Sequence, residues 1–135
     1  MEEARLMLDT TAVSGFFKGH EEIRENIASA DELFLNPVVI GELLAGFGMG
    51  GRERKNREVL REFLSSPRVR VIDVDGETSE RYAAIFAHLR RSGTPIPTND
   101  LWIAASAMQY GLKLLTTDKH YLKVPQVISI LCEAP

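Results

Sequence analysis

The sequence has a single cysteine in 135 residues, Cys132, which rules out an internal disulfide and a cysteine-based metal site. A lone thiol suits a reducing compartment, and Cys132 reads as a small apolar residue near the C-terminus. Long apolar runs are missing as well. None approaches the roughly 20 residues that cross a bilayer, and the Met-Glu-Glu start is acidic where a signal peptide would be basic. The expectation is a cytoplasmic protein with no membrane contact. An excess of positive charge is also absent: 16 Lys and Arg against 19 Asp and Glu leave a net charge of −3. Tight, purely electrostatic nucleic-acid binders are usually basic. An acidic chain remains compatible with an enzyme that reaches phosphates through bound cations.

Several chemistries lack their signatures. There is no phosphate-binding glycine loop ending in Gly-Lys-Ser or Gly-Lys-Thr and no dinucleotide fingerprint. His20, His88 and His120 have no zinc-ligand spacing, and each histidine alone is expected to be structural. A haloacid-type phosphatase would want an aspartate two residues after Asp9, where Thr11 stands. A receiver domain would want an acidic pair before its phosphoacceptor and a lysine after its last strand, and neither is evident.

What is present is an ordinary globular composition, 44% apolar and 26% charged, at a length that fits one domain over residues 1–135. Apolar periodicity predicts strands at 5–9, 32–36, 69–73, 113–116 and 127–131, and helices at 10–17, 20–30, from 38 onward, 52–64, 78–91 and from 98 to Gly111. Gly46, Gly48, Gly50 and Gly51 are expected to break the third helix into a flexible turn. Strands alternating with helices imply a three-layer α/β/α fold with a mostly parallel sheet of four to five strands, covered on both faces. Right-handed crossovers then open every strand-to-helix junction on the same edge.

That edge collects carboxylates. Asp9 ends the first strand, Glu42 opens the helix after the second, Asp100 falls in the first turn of a helix capped by Thr98, and Asp118 follows the fourth strand. Asp73 and Asp75 also follow a strand but sit beside Gly76, where a loop or cap role is expected. Four carboxylates in one cleft raise each other's pKa unless a cation neutralises them, and an all-oxygen donor set favours magnesium or manganese over zinc. Such an ion activates water and polarises a phosphoryl oxygen, so no protein nucleophile is needed.

Leu8-Asp9-Thr10, the helix start Val39-Ile40-Gly41-Glu42-Leu43-Leu44, Asn99-Asp100 followed by Ile103, Ala104, Ala105 and Ala107, and Thr116-Thr117-Asp118 together resemble the PIN domain, more narrowly the VapC-type toxins of bacterial and archaeal toxin–antitoxin pairs. The resemblance covers nearly the whole chain in order. It implies a magnesium-dependent endoribonuclease, usually a homodimer, held inactive by a cognate antitoxin. Under it Asp9, Glu42, Asp100 and Asp118 are the catalytic acids, with Asp9, Asp100 and Asp118 on the metal. Thr116 orients the last of these acids, and Asn99 and Thr10 support the site. Two departures stand out: Asn36-Pro37 replaces the small residue common before the glutamate helix, which would shift that helix's start, and His120 leaves a fifth acidic position unfilled. The alternative is a catalytically silent PIN-like module that binds RNA or a protein.

Two surface expectations complete the reading. Arg52, Arg54, Lys55, Arg57 and Arg61 form a local basic excess that suits RNA phosphates. Phe16, Phe17, Phe47 and Met49 lie near helix ends or glycines, where an antitoxin segment could cover them.

Overall fold

The computed structural model describes residues 3–134. Five strands, β1 (Arg5–Leu8), β2 (Glu32–Leu35), β3 (Val69–Val71), β4 (Lys113–Thr116) and β5 (Ser129–Leu131), form one sheet in the order β3-β2-β1-β4-β5. Every neighbouring pair is parallel. Six helices connect and cover it: α1 (Thr10–Phe17), α2 (Glu21–Ser29), α3 (Pro37–Met49), α4 (Glu53–Leu64), α5 (Gly76–Ser92) and α6 (Thr98–Tyr110), with a short 3-10 turn at Lys119–Lys123. The central strand shows why a continuous apolar run was right for it. Leu6, Met7 and Leu8 are all buried, because helices pack on both faces.

β1 lies in the middle of the sheet, β2 and β3 follow on one side, and the chain then crosses to β4 and β5 on the other. The strand order therefore reverses between β1 and β4, whose register pairs Leu8 with Leu115. Such a reversal splits the loops at the carboxyl edge and leaves a crevice. Asp9 and Thr116 flank it.

Element boundaries differ from the sequence expectation where local chemistry overrides periodicity. The first strand stops at Leu8, and Asp9 caps α1 by accepting the Ala12 N–H at 2.8 Å. His20 is likewise the cap of α2, and α5 starts at Gly76 because Asp75 and Thr78 form a reciprocal capping box. The third and last strands are shorter than expected, Val69–Val71 and Ser129–Leu131. Gly46 and Gly48 do not break α3, which continues to Met49 while the partly buried Leu44 and Phe47 pack against the core. The break falls at Gly50 and Gly51.

Asn36 stands just before α3, which begins at Pro37. It is fully buried, caps α3 by accepting the Val39 N–H at 3.1 Å, and donates to Ser106 Oγ at 2.9 Å in α6. Pro37 takes the first helical position, where its missing N–H costs nothing. Asn36 thus ties the Glu42 helix to the Asp100 helix.

Candidate active site

Asp9 sits at the end of β1 and is almost fully buried. Its Oδ1 accepts from Ala12 N and from Thr11 Oγ1, each at 2.8 Å, and its Oδ2 accepts from Thr116 Oγ1 at 2.6 Å. Thr116 Oγ1 in turn accepts the Asp118 N–H at 2.8 Å, so one threonine hydroxyl joins the end of β1 to the turn after β4. Burial pushes the Asp9 carboxyl up to about 6, against the pull of these hydrogen bonds, and the charge of Asp118 adds to the rise.

Glu42 projects from the second turn of α3 and is held from both sides. Thr10 Oγ1 donates to its Oε1 at 2.5 Å and Asn99 Nδ2 to its Oε2 at 3.2 Å. Asp100 lies in the first turn of α6, whose cap position is Pro97 rather than the expected Thr98. Its carboxyl rises to about 6, first through burial and next through the nearby Asp118 charge, with His120 opposing. Asp118 caps the 3-10 turn by accepting the His120 N–H at 2.9 Å. His120 Nδ1 then falls between the two acids, 3.1 Å from Asp100 Oδ2 and 3.0 Å from Asp118 Oδ1. The buried Tyr121 donates its hydroxyl to Asp100 Oδ1 at 3.3 Å, and burial among the acids pushes its pKa up.

Among the described residues, Asp100, Asp118 and His120 form the one group of three whose ligand atoms all lie within 4.8 Å of each other. This tight group takes His120 where the sequence reading had Asp9. Asp9 is tied to it through Thr116, and Glu42 through Asn99. Two carboxylates and an imidazole are a donor set for a divalent cation. Burial and then the Asp118 charge raise Asp100, a rise that positive charge opposes, and His120 Nδ1 already stands between the two acids. A metal ion fits here.

Sequence reasoning placed His120 at a possible fifth acidic position without giving it a role, and it did not find Tyr121 or the part Thr11 plays in holding Asp9. The Asp118-x-His120 spacing was visible, but only the 3-10 turn folds that pair back onto Asp100.

The family model of the PIN domain matches residues 6–127. The chain belongs to the PIN domain family. Relatives of this PIN domain include Ribonuclease VapC4 of Mycobacterium tuberculosis, 31% identical over 67% of this chain and 69% of the relative. It is also similar to the tRNA(fMet)-specific endonuclease VapC of Salmonella typhimurium, 28% identical over 91% of this chain and 94% of that one. Among solved structures, DNA-bound VapBC from Salmonella typhimurium superimposes with a TM-score of 0.83 at 26% identity, covering 94% of this chain and 97% of its counterpart. The parallel five-stranded sheet is thus the PIN fold.

Proposed function

We propose that this PIN domain is a metal-dependent endoribonuclease and the toxin of a toxin–antitoxin pair, acting on RNA in the cytoplasm. The observation that carries the reading is the Asp100, Asp118 and His120 group, with Asp9 and Glu42 bonded to its flanks. Its context supports the same reading: the related chains bear the names ribonuclease and endonuclease, and the Salmonella neighbour was solved as VapBC.

Asp100, Asp118 and His120 would hold magnesium or manganese. When bound, such an ion supplies a charge for the phosphoryl oxygen and lowers the pKa of a coordinated water. For His120 to bind through Nδ1 the ring must carry its proton on Nε2. Asp9, hydrogen-bonded to Thr116, orients the backbone that carries Asp118 and adds negative charge toward the cation. Glu42, fixed by Thr10 and Asn99, would accept a proton from water.

An antitoxin segment would cover the aromatic cleft between α1, α2 and α4. Phe16 and Phe17 meet Phe63 there with ring centroids 5.4 and 5.6 Å apart, beside Arg24, Val59 and Glu62. Met49, 90% exposed at the end of α3, is a second apolar contact. Association of two copies follows the same family expectation.

RNA incubated with the purified protein should be cut with magnesium or manganese present and stay intact with chelator. Products should carry 5′-phosphate and 3′-hydroxyl ends, because water attacks rather than the ribose 2′-hydroxyl. Cyclic phosphate ends would remove this mechanism.

A further inference from the structure

Beside the carboxylates, on the α1 side, a cleft of about 240 Å³ is lined by Thr10, Thr11, Ser14, Lys18, His20 and Thr117. Thr10, Thr11 and Ser14 come from α1, and Lys18 is its C-cap residue. The inner end is braced by the acid cluster: Thr11 Oγ1 donates to Asp9 and accepts the Thr117 N–H at 3.0 Å, and Thr10 donates to Glu42. No carboxylate lines the cleft itself. His20 closes the far end as a fixed wall. Its Nδ1 accepts the Ile23 N–H at 3.3 Å and its Nε2 donates to the Glu133 carbonyl at 2.6 Å, so both ring nitrogens are occupied.

Lys18 is exposed at the mouth and, among the described residues, makes no ion pair, whereas Arg57, Arg70 and Arg81 are each held by a glutamate. A polyanion approaching four carboxylates in a chain of net charge −3 is repelled unless something positive or hydrogen-bond-donating lies beside them. This cleft is a neutral-to-positive, hydroxyl-lined channel that opens directly onto the acids.

We propose that the cleft seats the RNA strand on one side of the cut. In it Lys18 pairs with a backbone phosphate, and Ser14 and Thr117 offer hydroxyls to phosphate or ribose oxygens, while Thr10 and Thr11 keep theirs on Glu42 and Asp9. Lys18 lies seven residues past Thr11, about 10 Å along the helix at 1.5 Å per residue. That is a nucleotide or two from the acid cluster. The contact is to backbone and ribose, so it adds affinity and register without reading sequence. The inference rests on the nuclease reading for its direction, yet it is tested by binding alone.

The probe is a short fluorescein-labelled single-stranded RNA, followed by anisotropy over a salt series with calcium in place of magnesium. Lys18→Gln should weaken binding about fivefold and reduce the salt slope by about 0.7, the value of one phosphate contact on a single strand. Lys18→Arg should retain both. Ser14→Leu should weaken binding by filling the cleft, with an unchanged melting temperature because Ser14 is only partly buried on the outer face of α1. Lys113→Gln, exposed at the start of β4 on the opposite edge, should bind like the parent. Unchanged affinity and slope in both Lys18→Gln and Ser14→Leu overturns the proposal. If the parent protein cuts no RNA but the Lys18 and Ser14 effects are seen, the cleft stands and the nuclease reading falls.

Discussion

Asp9 is buried, hydrogen-bonded and close to another acid, and these influences pull in different directions. Its carboxyl stands at about 6 instead of the ordinary 3.8. The folded chain therefore binds more protons than the unfolded chain between those two values. Stability in metal-free buffer should fall as the pH rises through about 4 to 6, and the cost is complete at pH 7. Two pH units correspond to about 3 kcal/mol as an upper bound. Asp9→Asn removes that cost but gives up an acceptor for Thr11 or Thr116. The expected result is a protein about 1–2 kcal/mol more stable than the parent at pH 7.5 with chelator, measured by urea denaturation. A less stable variant would show that the hydrogen bonds outweigh the burial of charge.

Tyr121 offers a finer test at the same scale. Its hydroxyl fixes one oxygen of Asp100 and leaves the other facing His120. Tyr121→Phe keeps the ring in the core and frees that carboxylate to rotate. Manganese affinity measured by calorimetry should drop about tenfold, the lower end of the range known for residues that orient metal ligands. Equal affinity would make the tyrosine a packing residue only. His120→Ala should lose more, because it removes a ligand.

At the scale of elements, helix α3 shows what periodicity conveys and what it omits. Val39 and Leu43 are buried, and the helical stripe was plain in the sequence. Its end was not, because Gly46 and Gly48 were read as breakers although helical glycine costs only about 1 kcal/mol and neighbouring Phe47 packs against the core. A methyl group added at Gly46 would meet nothing within 4 Å, and its φ is not positive. Gly46→Ala should therefore raise stability by about 0.5–1 kcal/mol, whereas Gly111→Ala should lower it, since Gly111 ends α6 at φ 64°. Thermal denaturation of the two variants checks both signs.

Helix α4 was singled out for its basic residues. In the folded chain Glu53 and Glu58 share a cleft with Arg54, Arg57 and Arg61, and Glu53 holds Arg57 at 3.3 Å. Neutralising Arg54, Lys55 and Arg61 together should reduce the salt slope of RNA binding by about 2 if all three touch phosphates. An unchanged slope assigns α4 to solvent or to a protein partner.

For the whole molecule, the parallel order of strands is what brings distant acids together, and that order was legible from alternating strand and helix patterns. So was the shared edge for Asp9, Glu42, Asp100 and Asp118, since each stands at a strand end or within the first two turns of a helix. The inner geometry was not legible. The two-residue step from Asp118 to His120 folds back onto Asp100 through the 3-10 turn Lys119–Lys123, which is anchored by the buried Tyr121 within it and Val124 after it. The Thr116 bridge likewise depends on β4 pairing beside β1, a contact across 107 residues that no local pattern announces. Asn36 looked like a defect in the motif and is a buried cap joining two site helices.

The central claim is that a cation held by Asp100, Asp118 and His120 lets this PIN domain cut RNA. The most direct measurement is RNA cleavage rate against manganese concentration for the parent, Asp118→Asn and Asp73→Asn, each protein first stripped with chelator. The account predicts no cleavage without metal and a saturable rise in the parent. Asp73→Asn should match that curve, since Asp73 is exposed in the loop after β3, and Asp118→Asn should lose at least a hundredfold, consistent with losing a charge that binds and orients the ion. Cleavage that persists at full rate in chelator, or an Asp118→Asn protein as active as the parent, would contradict it.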